Sequence, residues 1–374
     1  MGLVACVEEK PGISGTTSFR VEVVPPTELG TKEERLAETA RKIQVKVTAL
    51  DAQGAVDTSF SAQVGVYTHF LGSLTPKRSS SLPPLQVTVT EGEGNASLEL
   101  PPTYGPAYLW LEDAAREGAT LATGTSPVFW FRDPFLDDIS RPEDERQASA
   151  LERSPLEGKQ VRVEQSKHGE SGVLVVTAAF SNAYTVSDVR CSEDGCTADP
   201  YSHLYVFTFG RPRAQNNKPI LEGQAVQWVS GGVGEFVGFT ELNFPRTFLA
   251  EEGAIDRRRI PKPVEIKPAW LTKVTGTDSM INLEQLEGGL VAVSGGVGCG
   301  LDTDYDRFGQ WKLDIGNGCG SPIHIVTRDT APDIRPEDLK GKQVSRIVGI
   351  LRNVITMRGP VWIVMPRRDA DVTL

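Results

Sequence analysis

The sequence predicts an all-β protein in which a β-sandwich precedes two small β-barrels. Short runs that alternate apolar and polar residues recur along the chain, and 37 glycines and 25 prolines separate them, as expected for strands joined by turns. A phrase that begins Leu-Glu-Gly and continues into Val-Ser-Gly-Gly-Val-Gly occurs almost intact from Leu221 and from Leu286, with fainter echoes from Leu156 and Leu339. The first three copies start 65 residues apart and the last follows after 53. Because this spacing exceeds that of most solenoid repeats, we interpret the phrase as equivalent strands of a few small β-domains.

Length and charge limit the classes of protein to consider. The 374 residues are enough for two or three domains, each with its own core. The chain has 39 basic and 49 acidic residues, a formal charge of −10, which disfavours broad electrostatic affinity for nucleic acid or an anionic membrane. The sequence contains no run of 18 apolar residues, so no helix is expected to span a bilayer.

Turn signals and shifts in composition divide the chain into six predicted segments. These are an N-terminal tether (1–17), a β-sandwich (18–132), a charged linker (133–155), a first barrel (156–253), a basic connector (254–285) and a second barrel (286–374).

The predicted sandwich rests on a series of alternating runs at 19–24, 43–48, 87–90, 97–100 and 108–111. The charged stretch 31–42 is predicted to be a helical insertion. Residues 47–54, Val-Thr-Ala-Leu-Asp-Ala-Gln-Gly, resemble a strand end in the bacterial immunoglobulin-like domains of cell-surface proteins. In the linker, a short helix is predicted to begin at Ser140, with Pro142 in its first turn.

Five strands are predicted in each barrel, and glycines at the bends favour small closed barrels of the OB type. The predicted strands are 161–164, 173–177, 204–209, 225–233 and 239–242 in the first barrel, and 290–296, 310–314, 323–326, 343–351 and 361–365 in the second.

Three stretches of the first barrel resemble known modules: Gly-Val-Leu-Val-Val-Thr at 172–177, Leu-Tyr-Val-Phe-Thr at 204–208, and 223–242 with its Val-Gln-Trp-Val-Ser-Gly-Gly-Val-Gly core. They are similar to the OB-like modules of bacterial extracellular proteins, including those ahead of secreted nuclease domains. The resemblance covers about 156–374. It implies the fold and leaves the ligand open, because one fold serves many functions.

The cysteines predict two disulfide bonds. Cys191 with Cys196, and Cys299 with Cys319, is the pairing that keeps each bridge within one repeat unit, with free buried thiols as the alternative. No histidine lies near either pair in sequence, which argues against zinc. Two disulfide bonds indicate an oxidising compartment.

The remaining cysteine, Cys6, ends the stretch Leu-Val-Ala-Cys, which resembles a bacterial lipobox. The resemblance implies lipidation of Cys6 and contact with a membrane through that anchor only. Val7 after the anchor implies sorting to the outer membrane, facing the periplasm or the cell surface. A chance match is the alternative, because a lipoprotein signal peptide needs a basic stretch and an apolar stretch before its cleavage site.

No catalytic constellation is recognisable, so we expect neither an enzyme nor a cofactor. The four histidines, His69, His168, His203 and His324, are scattered, and both a Gly-x-Ser-x-Gly elbow and a phosphate-binding loop are missing. Asp302, Asp304 and Asp306 alternate as in calcium loops, but Arg307 stands where an EF-hand needs glycine. We interpret them as a solvated loop, with a calcium site as the weaker alternative.

The sequence therefore predicts a non-catalytic lipoprotein of the cell envelope that binds a protein, a glycan or a matrix component. The alternative is an accessory protein for extracellular single-stranded nucleic acid. In that alternative aromatic side chains stack on bases and connector arginines hold phosphates. The candidate contacts are Tyr205, Phe207, Phe209, Trp228, Arg257, Arg258 and Arg259. The acidic net charge favours the simpler interpretation, in which the rings fill a barrel and the connector is solvated.

Overall fold

A computed structural model of the chain describes residues 15–73, 85–113, 122–142, 153–272, 278–356 and 359–374. The predicted all-β class is confirmed, since strands make up most of the regular structure and the helices are short. The chain divides into two compact units, Met1–Arg132 and Asp133–Leu374. Among the described residues, no helix has the length and apolarity needed to cross a membrane.

Unit 1 consists of strands β1 to β8. Their bounds are β1 Ser18–Val23, β2 Arg41–Leu50, β3 Ala62–Phe70, β4 Leu85–Val89, β5 Glu93–Leu100, β6 Pro106–Asp113, β7 Thr123–Thr125 and β8 Phe129–Trp130. Strands β1, β2 and β5 form one antiparallel group and β4, β3, β6 and β7 another, and a parallel bridge from Ser18 to Thr123 joins β1 to β7. This arrangement is that of an immunoglobulin-like sandwich.

The sandwich core follows from strict alternation along β2. Ile43, Val45 and Val47 are buried while the residues between them are more exposed, so one face of the strand is apolar. The expected helix at 31–42 is wrong, since the described chain there has no helix and β2 begins at Arg41. Leu36 instead exchanges backbone hydrogen bonds with the segment around Trp130, and this pairing overrides the local helix preference.

Unit 2 contains strands β9 to β21 and helices α1 to α3. The strands of its first half are β9 Gln160–Val163, β10 Gly172–Ala179, β11 Ala183–Ser192, β12 Gly195–Phe207, β13 Ala225–Glu235 and β14 Thr240–Leu249. Those of its second half are β15 Val264–Glu265, β16 Leu290–Leu301, β17 Gln310–Asp314, β18 Ile323–Val326, β19 Gln343–Thr356, β20 Gly359–Met365 and β21 Val372–Thr373. The helices are α1 Leu136–Ser140, α2 Asp278–Glu284 and α3 Tyr305–Phe308.

Each half forms a closed five-stranded ring. The first runs β10-β11-β12-β14-β13 and returns to β10, and the second runs β16-β17-β18-β20-β19 and returns to β16. In both rings the third strand is parallel to the fifth. This is the order of an OB-like barrel, and we call the two rings barrel 1 and barrel 2.

The repeated phrase marks a turn rather than an equivalent strand, which corrects our interpretation. Its glycines, Gly158, Gly223, Gly288 and Gly341, have φ angles of 76°, 84°, 71° and 74°, a left-handed conformation that glycine adopts at little cost. The strands that follow are β9, β13, β16 and β19. Only β13 and β19 hold the same place in their rings, whereas β16 is a first strand and β9 lies outside barrel 1, paired with β13.

In barrel 1 the five predicted strands included β9 and missed β11. Strand β11 lacks alternation because it is buried on both faces, with Thr185, Ser187 and Asp188 all inside. Each of these polar side chains is hydrogen-bonded, to Thr177, His203 and Ser166 respectively, which removes the cost of burying it.

The charged linker contains α1, whose Leu136 and Ile139 are fully buried and which packs against β12. The predicted helix start at Ser140 is wrong, because Ser140 is the last residue of α1. Its hydroxyl donates to the carbonyl of His203 at 2.7 Å. The Asp138 carboxylate accepts from the backbone N–H of Phe135 and so caps the beginning of the helix.

Barrels 1 and 2 pack directly against each other within unit 2. Ala178 of barrel 1 and Leu290 and Ile350 of barrel 2 form a shared apolar cluster. The Arg367 guanidinium donates twice to Asp371 at 2.9 Å and once to the carbonyl of Thr177 in barrel 1. The two barrels therefore form one continuous structure.

Candidate functional site

Barrel 1 displays a group of three phenylalanine rings at and just beyond the end of β12 and on β14. We call this group the aromatic patch, and it consists of Phe207, Phe209 and Phe244. Phe209 and Phe244 are each 76% exposed, and Phe207 is partly buried against the core cluster of Ala183, Tyr205 and Phe239. Exposed phenylalanines that touch each other are unusual on a soluble surface, and such patches mark interaction sites.

The three rings form a contiguous surface. The Phe207 and Phe209 ring centroids lie 5.2 Å apart, edge to face, and those of Phe209 and Phe244 lie 5.4 Å apart. The rings come together because β12 runs parallel to β14, so the end of β12 lies beside the middle of β14. An extended chain alternates its side chains, which places Phe207 and Phe209 on the same side.

Val237 occupies the tip of the β13–β14 hairpin in a strained conformation. Phe236 and Phe239 exchange backbone hydrogen bonds of 2.9 and 3.2 Å, which leaves Val237 and Gly238 as the two turn residues. Their φ angles are 57° and 82°. A turn with two positive φ angles favours asparagine or glycine at its first position, and a β-branched residue there is an outlier. The hairpin tip therefore carries an apolar side chain that is exposed to solvent, on a strained backbone.

Phe244 is strained in the same sense. Its φ angle is 51°, and it lies where the pairing of β13 and β14 shifts register between Ser230 and Gly232. Bulges of this kind redirect side chains, and left-handed non-glycine residues concentrate at functional sites. Val237 and Phe244 thus each combine an exposed apolar side chain with a left-handed backbone conformation.

The floor beneath the patch is rigid. Phe239 is fully buried, and its ring centroid lies 4.8 Å from that of Tyr205. The Arg352 guanidinium of barrel 2 lies 5.2 Å from the Phe239 centroid and 5.8 Å from that of Phe236. Cation–π contacts of this length hold the ring positions at the base of the patch.

A second aromatic group lies on the outer face of β9, β13 and β14, and we call it the Trp228 stack. Trp228 and Phe248 are nearly parallel, with an interplanar angle of 12° and centroids 6.0 Å apart. The Arg162 guanidinium lies 4.3 Å from the Trp228 centroid and also pairs with Glu164 at 3.1 Å.

Two carboxylates, the half-buried Glu235 and the buried Glu287, meet at Thr240, the first residue of β14. The Thr240 hydroxyl donates to Glu235 at 2.8 Å, and its backbone N–H donates to Glu287 at 3.1 Å. Burial raises the pKa of Glu235 to about 7. Burial, then the neighbouring Glu284, raises the pKa of Glu287 well above its ordinary value. Within the described chain, Oε2 of Glu235 and Oε1 of Glu287 have no hydrogen-bond partner.

The structure separates the predicted nucleic-acid contacts. Tyr205 is buried, so it cannot stack on a base, whereas Phe207 and Phe209 belong to the aromatic patch and Trp228 to its own stack. Among the connector arginines, Arg258 is paired with Asp256 at 2.8 Å and Arg259 with Glu251 at 2.8 Å.

The third of these arginines, Arg257, lines a groove between the barrels. Among the described residues, no aromatic side chain lines this groove, so the aromatic candidates and Arg257 do not share this surface.

Both predicted disulfide bonds are confirmed. Cys191 pairs with Cys196 across the β11–β12 hairpin, and Cys299 pairs with Cys319 between β16 and the β17–β18 connection. Cys6 lies outside the described residues.

In the loop of alternating aspartates, Asp302 and Asp304 take part in other local structure. Asp302 lies 3.1 Å from Nε2 of His324, and α3 begins directly after Asp304. In the part of the chain that the structure describes, no group of three or more His, Cys, Asp or Glu side chains is placed to hold a metal ion, and Asp306 joins no such set.

Two features of the site were not accessible from sequence. Val237 and Phe244 have positive φ angles, which no local pattern indicated. The cation Arg346 reaches the groove from β19.

The fold and these surfaces define an all-β protein with an immunoglobulin-like sandwich and two OB-like barrels. No protein-family model matches the chain, and no curated protein matches it. Among solved structures, it is similar to dimeric latent PorU from Porphyromonas gingivalis at a TM-score of 0.21 and 10% sequence identity. The match covers 94% of this chain and 34% of the PorU chain, so this chain spans about a third of that protein. A likeness at that TM-score assigns neither fold nor function.

Proposed function

We propose that the protein is a non-catalytic binding protein of the cell envelope whose aromatic patch recognises another protein. The observation that supports this is the contact between the exposed rings of Phe209 and Phe244, with the partly buried Phe207 ring beside them. Solvent-exposed aromatic side chains are the commonest anchors of protein interfaces, where they fill pockets of the partner. The two disulfide bonds support an oxidising compartment, and lipidation at Cys6 remains part of the proposal.

The chemistry of the patch favours a protein over a glycan or a nucleic acid. Phenylalanine side chains carry no polar atom, so the patch members offer no side-chain hydrogen bond to sugar hydroxyls. A nucleic-acid surface combines aromatic rings with a positive groove, and none of the described residues that line the groove between the barrels is aromatic. A protein partner with apolar side chains can bury these rings without requiring a hydrogen bond from them.

The test places a photoreactive phenylalanine analogue at position 244 in the full chain, in cells that carry the gene. We expect one discrete cross-linked protein, absent when the analogue replaces exposed Phe248 on the Trp228 stack. The purified partner should bind the wild-type chain and lose at least about thirtyfold in affinity to a Phe209→Ser/Phe244→Ser variant, because each buried aromatic anchor contributes about 1 kcal/mol or more. Unchanged affinity in the double variant would refute the proposal.

Single-stranded nucleic acid is a second candidate, favoured by the Trp228 stack. There an arginine, a tryptophan and a phenylalanine lie together on an outer sheet face, as in platforms that stack bases. The test is binding of a labelled oligonucleotide to the chain from Gly15 onward at low and physiological salt. Micromolar affinity that falls steeply with salt and is lost in Trp228→Ala supports this candidate, and no binding at low salt rejects it.

A further inference from the structure

Between the two barrels lies a groove of about 590 Å³ whose charged lining is mainly cationic. It is lined by Glu222, Arg257, Ile260, Pro261, Lys262, Pro263, Leu290, Arg346, Val348, Arg367, Arg368, Ala370 and Asp371. Five of these side chains are cationic and two are anionic, in a chain whose formal charge is −10. A concentration of positive charge against the overall sign of the protein creates a local attraction for anions.

Part of this positive charge is balanced internally. Arg367 is held by Asp371 and lies 3.6 Å from Glu222. Arg368 also donates to Glu222. Two cations thus share two carboxylates, and this arrangement fixes one wall of the groove.

Another cation, Arg346, is anchored at the edge of the groove. It donates to the Ser294 hydroxyl at 2.8 Å and lies 3.4 Å from the Glu265 carboxylate. Both contacts use one nitrogen, Nη1, so the other donors of this guanidinium can face a ligand.

Arg257 and Lys262 are the unbalanced cations. Both are exposed, and within the described chain neither side chain makes an ion pair or a hydrogen bond. Pro261 and Pro263 flank Lys262 and fix the backbone φ angles on both sides of it. Two cations without a partner among the described residues match a ligand group with about two negative charges, the charge of a phosphate monoester at neutral pH.

The rest of the lining is apolar. Ile260, Leu290 and Val348 belong to one cluster beneath the cations. A site with positive charge at its rim and aliphatic side chains in its wall suits an anion carried on an apolar body. We propose that this groove binds a phosphate monoester attached to an apolar group, with Arg257 and Lys262 as the principal phosphate contacts. The proposal is independent of the aromatic patch, because the two surfaces share no residue.

The proposal is tested on the full chain by calorimetry with phenyl phosphate, and by flotation with phosphatidylcholine vesicles that contain phosphatidic acid. The test variant is Arg257→Glu/Lys262→Glu, and the control Arg190→Glu/Lys267→Glu makes the same charge change at exposed residues outside the groove. We expect at least tenfold weaker binding in the test variant and less than twofold in the control, with unchanged thermal midpoints in both.

Each outcome decides the question. Groove-dependent binding of phenyl phosphate supports a soluble phosphate ester, and groove-dependent binding of the vesicles alone supports a lipid-borne one. The proposal is overturned if neither probe binds, if test and control variants weaken binding equally, or if phenyl acetate binds as tightly as phenyl phosphate.

Discussion

Replacing Glu235 with glutamine is expected to make the protein more stable, and more so at alkaline pH. The wild-type carboxylate accepts hydrogen bonds on Oε1 from the Ser154 backbone and the Thr240 hydroxyl, while Oε2 has no partner within the described chain. Glutamine keeps Oε1 as an acceptor. Its amide nitrogen takes the place of Oε2 and carries no charge, so the buried negative charge beside Glu287 is removed.

The size of the effect follows from the raised pKa of Glu235. In the folded protein this pKa is about 7, against an ordinary value of 4.5. The folded state therefore holds the proton more tightly, and its stability falls as pH rises from about 4.5 to about 7. At about 1.4 kcal/mol per pKa unit the full loss is about 3 kcal/mol, and partial exposure of the side chain reduces it to about 2 kcal/mol. Glu235→Gln should recover about 2 kcal/mol at pH 8 and less than about 1 kcal/mol at pH 5.

The measurement is urea denaturation of the full chain at pH 5 and pH 8, with hydrogen exchange of β13 and β14 peptides reporting on barrel 1. Glu193→Gln, at an exposed carboxylate in the β11–β12 turn of the same barrel, is the matched control and should change neither value. An equal effect of Glu235→Gln at both pH values, or a loss of stability at pH 8, would show that burial does not hold the proton there.

Three further predictions follow from the packing. Gly289→Ala should lower stability by about 2 kcal/mol, because a Cβ there would lie 2.5 Å from the buried His203 ring, whereas Gly232→Ala, with its nearest atom at 3.7 Å, should be close to neutral in thermal denaturation. Replacing both cysteines of a pair by serine should cost about 3 kcal/mol for Cys299–Cys319 and about 2 kcal/mol for Cys191–Cys196, since the first closes the longer loop; the reverse order in urea titrations would contradict this. Phe244→Gly should be more stable than Phe244→Ala by about 1 kcal/mol, because only glycine adopts its φ of 51° without strain, and equal melting temperatures would remove the argument for strain.

Sequence patterns predicted those barrel strands in which one face is buried in the core and the other face is more exposed. Strands β17 and β18 of barrel 2 have the bounds that were expected for them, because their apolar residues alternate. Strand β11 was missed because the segment 166–171 packs against it, with the Ser166 hydroxyl and the Lys167 backbone N–H donating to Asp188, so that its polar residues are buried as well. Alternation carries no information about a strand with two buried faces.

The residues of the candidate sites likewise fall into two groups, those that sequence patterns indicated and those that only the tertiary structure places. Phe207 and Phe209 were recognisable from alternation at the end of a strand, and the basic connector from its composition. Tyr205, on the same face in sequence, lies deeper in the barrel against Phe239, and this depth depends on how the ring closes. The strain at Val237 and Phe244 and the arrival of Arg346 beside Arg257 are products of tertiary structure, which local sequence does not encode.

The parallel contact that closes each barrel has a mechanical consequence. In barrel 1 it comprises two residue pairs, Tyr205 with Glu241 and Val206 with Leu242, whereas the neighbouring antiparallel contacts are longer. The antiparallel contact between β10 and β13 also comprises two pairs, so under a pulling force the ring has the fewest hydrogen bonds to break at these two places. Phe209 lies beyond one side of the parallel contact and Phe244 on the other, so a partner bound to both would bridge one of the two weakest joints of the barrel. A partner that binds the patch only when barrel 1 is folded therefore stabilises the closed ring against opening at this contact.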